Sequence, residues 1–113
     1  MGVKLNFSDS PFVMHTPPSP GQVLLEDYLK PMGISEKAMA RAIGVSATTI
    51  RAIVSGKRSI TPLMSIRIGT FFGHYEDYWH GLQVECDFHA LRSRSEALTR
   101  GIRPASELMK KGQ

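Results

Sequence analysis

The sequence predicts an all-α fold of five helices, preceded by an extended arm over residues 1–18 and followed by a basic tail over residues 99–113. Two observations lead there. Apolar residues recur three or four apart in five separate stretches, the spacing that lines one face of a helix. The stretches are also bounded by helix signals: Ser19-Pro20 and Thr61-Pro62 pair a capping hydroxyl with the residue best tolerated at the first helical position, and Gly33, Gly44, Gly56 and Gly73 stand where helices stop. A chain of 113 residues is long enough for one core and leaves little for a second, so residues 19–98 are expected to form one domain.

Residues 1–18 end in His15-Thr16-Pro17-Pro18 and show no sustained period, so an extended arm is expected, with partner binding as one role open to it. The first helix starts at Ser19-Pro20 and packs through Val23, Leu24, Leu25, Tyr28 and Leu29, and Pro31 and Gly33 are expected to end it. A helix this short has little stability alone. Its expected task is to cover the back of the next two helices and hold the third at a fixed angle.

Residues 35–58 read as helix, tight turn, helix. Ser35 caps the first of the pair, and Ala38, Met39, Ala42 and Ile43 share a face. Gly44 accepts the left-handed conformation that stops a helix, making Gly44-Val45 the corner. Ser46 caps the second helix. Its inner stripe is Ile50, Ile53 and Val54, its outer face offers Ala47, Thr48, Arg51, Ala52 and Ser55, and Gly56 closes it. This is the helix-turn-helix unit, whose second helix can enter the DNA major groove. Such a pair also occurs as plain packing in all-α proteins, and charge helps to discriminate. Residues 35–60 carry Lys37, Arg41, Arg51, Lys57 and Arg58 against Glu36, a net +4 that equals the charge of the whole chain. A concentrated positive patch is what neutralising backbone phosphates requires. The candidate DNA contacts are therefore Glu36, Lys37, Ser46, Ala47, Thr48, Thr49, Arg51, Ala52, Lys57 and Arg58. Thr48, Thr49 and Arg51 would address base edges or nearby phosphates, while Lys37, Lys57 and Arg58 would position the protein on the backbone.

Thr61-Pro62 opens a fourth helix in which Leu63, Met64, Ile66, Ile68, Phe71 and Phe72 surround most of the axis, the pattern of a buried core helix, and Gly73 stops it. The fifth helix, over residues 75–91 or beyond, has two apolar faces. Tyr75, Tyr78, Trp79, Leu82 and Cys86 cluster on one side, with Val84, Phe88, Leu91 and Leu98 roughly opposite. One face packs on its own domain and the other calls for a partner. Because helix-turn-helix readers commonly work as two-fold pairs, Val84, Phe88 and Leu91 are assigned to a homodimer contact. From Arg92 onward Arg92, Arg94, Arg100, Arg103, Lys110 and Lys111 outnumber Glu96 and Glu107, and Gly101 and Pro104 break any helix. A fraying basic tail is expected, with a short helix possible at residues 105–110.

The remaining chemistry is thin. No nucleophile motif, phosphate loop or pair of catalytic carboxylates is visible, so neither an enzyme nor a cofactor is expected. His74, His80, Cys86 and His89 raise the question of a metal. Only Cys86 and His89 share a helical spacing, which is two ligands where tetrahedral zinc needs four, so no metal is expected and Cys86 reads as an apolar filler. A lone cysteine, no uninterrupted apolar core in residues 1–14, and no apolar run near 18 residues fit a reducing cytoplasm and no membrane.

Residues 44–58, G-V-S-x-x-x-I-x-x-I-x-x-G-K-R, resemble the phage-repressor-like helix-turn-helix domains. Pro18-Ser19-Pro20-Gly21, Leu25, Leu29, Pro31 and Gly33-Ile34-Ser35 before them, with Phe71-Phe72-Gly73, Trp79, Leu82 and Gln83 after, widen the likeness. Over about residues 14–92 the chain resembles the HigA-type antitoxins, also called VapI-related proteins. It departs from them at named places. Glu36 stands where many such repressors carry Gln, and Ala47 where a larger polar or basic residue is usual. His74-Tyr75-Glu76 and Gly81 replace a Thr-Ser-Pro-like helix start and an Asn. Met14 stands where chains of that family tend to begin, so residues 1–13 read as an upstream extension or a different choice of start codon. The resemblance implies a sequence-specific DNA-binding repressor, the antitoxin of a type II toxin-antitoxin pair. Such a protein represses its own operon and silences a small basic ribonuclease toxin encoded beside it, although nothing in composition or spacing marks the toxin-binding surface. A stand-alone phage- or transposon-type regulator shares every DNA argument. A protein-interaction module that no longer touches DNA is the competitor of a different class.

Overall fold

The computed structural model describes residues 16–109. Six α-helices and a closing 3-10 turn make up its regular structure, and no strand occurs among the described residues. Helix α1 spans residues 20–32, α2 is Glu36–Ile43, α3 Ala47–Val54, α4 Pro62–Phe72, α5 Tyr78–Arg92 and α6 Ser95–Thr99, with the 3-10 turn at Ala105–Glu107. The fold is the expected all-α one with an extra short helix, because the chain turns at Ser93-Arg94 and winds again. Residues 1–15 of the expected arm and Lys110 and Lys111 of the tail lie outside the described residues.

A reciprocal cap opens α1: Ser19 Oγ accepts from the Gln22 N–H at 3.1 Å and Gln22 Oε1 accepts from the Ser19 N–H at 3.3 Å. The helix then runs through Pro31, which was expected to end it, and stops only at Gly33 with φ +67°. Its middle, Val23–Leu29, winds wider than an α-helix, and the Lys30 N–H reaches five residues back to Leu25 O. A proline ring clashes with the carbonyl four residues back in a regular α-helix, and this wider winding takes up the conflict.

One buried core joins α1 to α5: Leu24 and Leu29 of α1, Met39 and Ala40 of α2, Ile50 and Ile53 of α3, Ile60 ahead of α4, Met64 and Ile68 of α4, and Trp79 of α5. On α2 the inward residues are Met39 and Ala40, with Ile43 half-buried, while Ala38 and Ala42 are exposed. An alanine side chain buries too little area to decide which face turns inward. Helix α4 also departs from expectation. Met64, Ser65, Ile68 and Gly69 are buried, but Leu63 is 61% and Ile66 44% exposed. Among the described helices α4 packs mainly against α2 and α5, which cover only one of its sides.

Helix α5 begins three residues later than expected. The buried Ser65 hydroxyl donates to Glu76 O at 2.6 Å and accepts from the His80 N–H at 2.9 Å, and these bonds hold the preceding residues as a turn. Tyr75 is exposed in consequence, while Tyr78 keeps edge contacts with His74 and Trp79 at the rim of the inner face, which Trp79, Leu82 and Cys86 supply. Trp79 is fully buried among Tyr28, Phe72 and His74, and its Nε1–H donates to His74 Nδ1 at 3.1 Å.

Candidate nucleic-acid interface

Local sequence sets the α2-turn-α3 unit. Ser35 Oγ accepts from the Ala38 N–H at 3.0 Å, and Ser46 Oγ accepts from the Thr49 N–H at 3.1 Å, so both helices start on hydroxyl caps. At the corner Gly44 takes φ +78° and the Val45 N–H returns to Ala40 O at 2.9 Å. Arg67 of α4 then reaches across. Its Nη1 donates to the carbonyls of Ile43 at 3.2 Å and Gly44 at 3.5 Å, placing a cation on the negative end of α2.

Two contacts fix α3 from behind. Gly21 of α1 lies against the end of α3 so closely that an added Cβ would sit 2.0 Å from Ile53 O and 2.8 Å from Val54 O. Beyond α3, the Ile60 N–H donates to Gln83 Oε1 at 3.0 Å and Ile60 O pairs with His80 Nδ1 at 2.9 Å. A carbonyl only accepts, so His80 carries its proton on Nδ1. Helix α5 thereby holds both backbone groups at the root of the loop that displays Lys57 and Arg58.

Outward, Ser35, Glu36, Lys37, Ala47, Thr48 and Arg51 line an open groove of about 530 Å³. The fold thus brings together Glu36, Lys37, Ala47, Thr48 and Arg51 from the sequence-derived set. The Ser46 and Thr49 hydroxyls are 3.0 Å apart and hydrogen-bonded to each other in the α3 cap. Ala52 is half-buried, and its carbonyl accepts from the N–H groups of Lys57 and Arg58. Lys57 and Arg58 themselves are exposed just past α3.

One contact in the groove had no sequence signal: Arg51 Nε donates to Glu36 Oε1 at 2.7 Å, a charge-assisted bond between a side chain 74% exposed and one 22% exposed. The hydrogen bond and charge of Glu36 hold the Arg51 proton even more firmly than usual. Lys37, Arg41, Lys57 and Arg58 are exposed and belong to none of the ion pairs among the described residues. Gly21 and Gln83 stand in the sequence only as part of a family pattern. Arg67 and His80 carry no local signal, because each bonds to backbone 20 or more residues away.

On α5, Val84, Phe88 and Leu91 are 37%, 58% and 45% exposed, and Leu98 of α6 is also exposed. The Arg92 guanidinium stands 5.7 Å from the centre of the Phe88 ring. Three of the four residues that raised the metal question have other partners: His74 accepts from Trp79, His80 pairs with Ile60 O, and Cys86 Sγ donates to Pro18 O at 3.2 Å. Among the described residues no three metal-ligating side chains converge, and no helix is long and apolar enough to cross a membrane.

A capped helix pair with a glycine corner, a cationic outer groove and a recognition helix braced from two sides define a helix-turn-helix DNA-binding protein. The helix-turn-helix family model matches residues 25–79. The chain is 41% identical over 68 residues to virulence-associated protein I of Dichelobacter nodosus, a match covering 60% of this chain and 63%, under two thirds, of that protein. It is 30% identical over 88 residues to antitoxin HigA-1 of Vibrio cholerae, covering 78% of this chain and 83% of that one. The solved structure of Pseudomonas aeruginosa antitoxin HigA with the higBA promoter aligns at a TM-score of 0.70 and 35% identity, covering 78% of this chain and 97% of that chain. This chain belongs to the HigA antitoxin family.

Proposed function

We propose that this protein is a dimeric repressor that binds its own operator and neutralises a small basic ribonuclease toxin encoded beside it. The observation that carries the DNA part is the groove: the exposed start of α3 presents Thr48 and Arg51 beside Lys37, and Lys57 and Arg58 are exposed just past the other end of α3. Side chains near the start of α3 address base edges, while Lys37, Lys57 and Arg58 hold phosphates and set the register of the protein on the duplex. Val84, Phe88 and Leu91 join two copies, and the protein works in the cytoplasm by binding rather than by catalysis. The antitoxin part is supported by family membership and by the Pseudomonas aeruginosa relative solved with the higBA promoter.

The test is binding to the DNA upstream of its own reading frame across a salt series. Lys57→Ala should lower affinity similarly on operator and scrambled duplex and flatten the slope of log K against log salt by about 0.9 for each bound protomer. No salt-dependent binding to either duplex would reject the reading. Expression of the adjacent small open reading frame in bacteria tests the second part. Growth arrest relieved by this protein is expected; no arrest, or arrest it cannot relieve, would leave a repressor without a toxin.

A further inference from the structure

We propose that Glu36 is a positioning residue that makes Arg51 a reader of guanine rather than a phosphate anchor. The inference rests on the DNA-binding reading and adds to it. An exposed arginine on a recognition helix normally sweeps many rotamers and can meet a base edge or a phosphate equally well. Arg51 is different because its Nε is engaged at 2.7 Å by a carboxylate from the neighbouring helix. The backbone beneath that carboxylate is fixed: Glu36 opens the first turn of α2, which the Ser35 hydroxyl caps, and its side chain is only 22% exposed.

Two consequences follow from where the bond falls. First, Glu36 takes the donor nearest the stem and leaves the Nη groups, at the far end of a guanidinium whose side chain is 74% exposed, as the fork that guanine O6 and N7 accept. Second, the pair carries no net charge. A phosphate approaching Arg51 also meets Glu36, so the nonspecific attraction of this cation is largely cancelled while its hydrogen-bonding capacity is kept. Phosphate binding falls to Lys37, Lys57 and Arg58, which belong to none of the ion pairs among the described residues. Removing Arg51 alone would be misleading, because it leaves a carboxylate facing DNA and weakens binding to every sequence.

The experiment selects a preferred duplex from a random-sequence library with the wild-type protein. Affinity is then measured for that duplex, for its 7-deazaguanine counterpart and for a scrambled one. Glu36→Gln should bind scrambled DNA more tightly, steepen the salt slope by about 0.9 for each bound protomer, and lose about tenfold of its preference for the selected duplex. Glu36→Asp keeps the charge and the first-turn acid but is one methylene short of Arg51. It should lose the preference without the steeper slope. Replacing guanine N7 should cost the wild type affinity and leave the Glu36→Gln, Arg51→Ala double variant unaffected. Both single variants keeping the wild-type preference would overturn the proposal. So would a loss of preference matched by an equal loss of melting temperature in both, since Glu36 would then only stabilise the start of α2. Selection of no sequence by the wild type would instead overturn sequence-specific binding itself.

Discussion

Cys86 is a thiol whose chemistry is set by where α5 places it. Its Sγ donates to Pro18 O at 3.2 Å, and burial first, then the charges of Asp87 and Glu85, push its pKa above the ordinary 9.0. A raised thiol pKa means the folded chain keeps its proton where the unfolded chain gives it up. The stability linked to that proton is present in full below the unfolded pKa near 9.0 and is lost as pH rises through the folded value. The denaturation midpoint should therefore decline as pH rises above about 9, and Cys86→Ser should reduce that decline. Alkylation by iodoacetamide supplies the second measurement: Cys86 should react more slowly in the folded protein than in urea at the same pH, since the thiolate is the nucleophile. Equal rates in both states would show that the thiol is not protected.

At the scale of elements, the contact of α1 with α3 governs where the recognition helix points. Gly21 allows backbone to touch backbone, and an alanine there would drive its Cβ to 2.0 Å from a carbonyl oxygen that cannot rotate away. Replacing a helical glycine by alanine ordinarily gains about 0.5–1 kcal/mol in helix propensity. The overpacking cost is about 1–3 kcal/mol, so the clash wins. Gly21→Ala should lower unfolding stability in urea and weaken DNA binding through a displaced α3. Gly81→Ala is the control, because the added methyl in α5 meets nothing within 4 Å and should be neutral or stabilising. Equal effects at both positions would mean that the close approach does not hold α3. The starts of α1 to α4 and the corner were legible in the sequence because hydroxyl caps, proline and glycine act within a few residues, whereas α5 starts without a side-chain cap and was placed three residues early. Contacts across the fold were not legible. The 15-residue separation of Glu36 and Arg51, the reach of Arg67 to the α2 terminus and the coverage of only one side of α4 all depend on how helices meet. Pro31 misled for a local reason, since the wider winding before it has no signature in residue type.

For the whole molecule, α5 links the reader to the face proposed for dimer contact. On one side Trp79 and Leu82 enter or line the core, and His80 and Gln83 clamp Ile60 at the root of the Lys57-Arg58 loop. On the other, Val84, Phe88 and Leu91 are exposed. A second copy docked there would transmit its orientation through α5 to α3, so the dimer geometry would set the separation of the two recognition helices. Two helices reading successive major grooves must lie about 34–36 Å apart, and dimerisation through this face is what would hold them to it. Phe88→Glu puts a charge at the centre of that face without disturbing the core, because Phe88 is already 58% exposed. The variant should keep its helical circular dichroism, sediment as a monomer at micromolar concentration, and lose most affinity for a duplex bearing two half-sites. Its affinity for a single half-site should be nearly unchanged, since the groove at α3 is untouched. A wild-type monomer at that concentration, or an unchanged mass for Phe88→Glu, would remove this face from the dimer. Loss of single half-site binding by a folded variant would show that α5 controls α3 within one protomer, through the clamp on Ile60, rather than by pairing two.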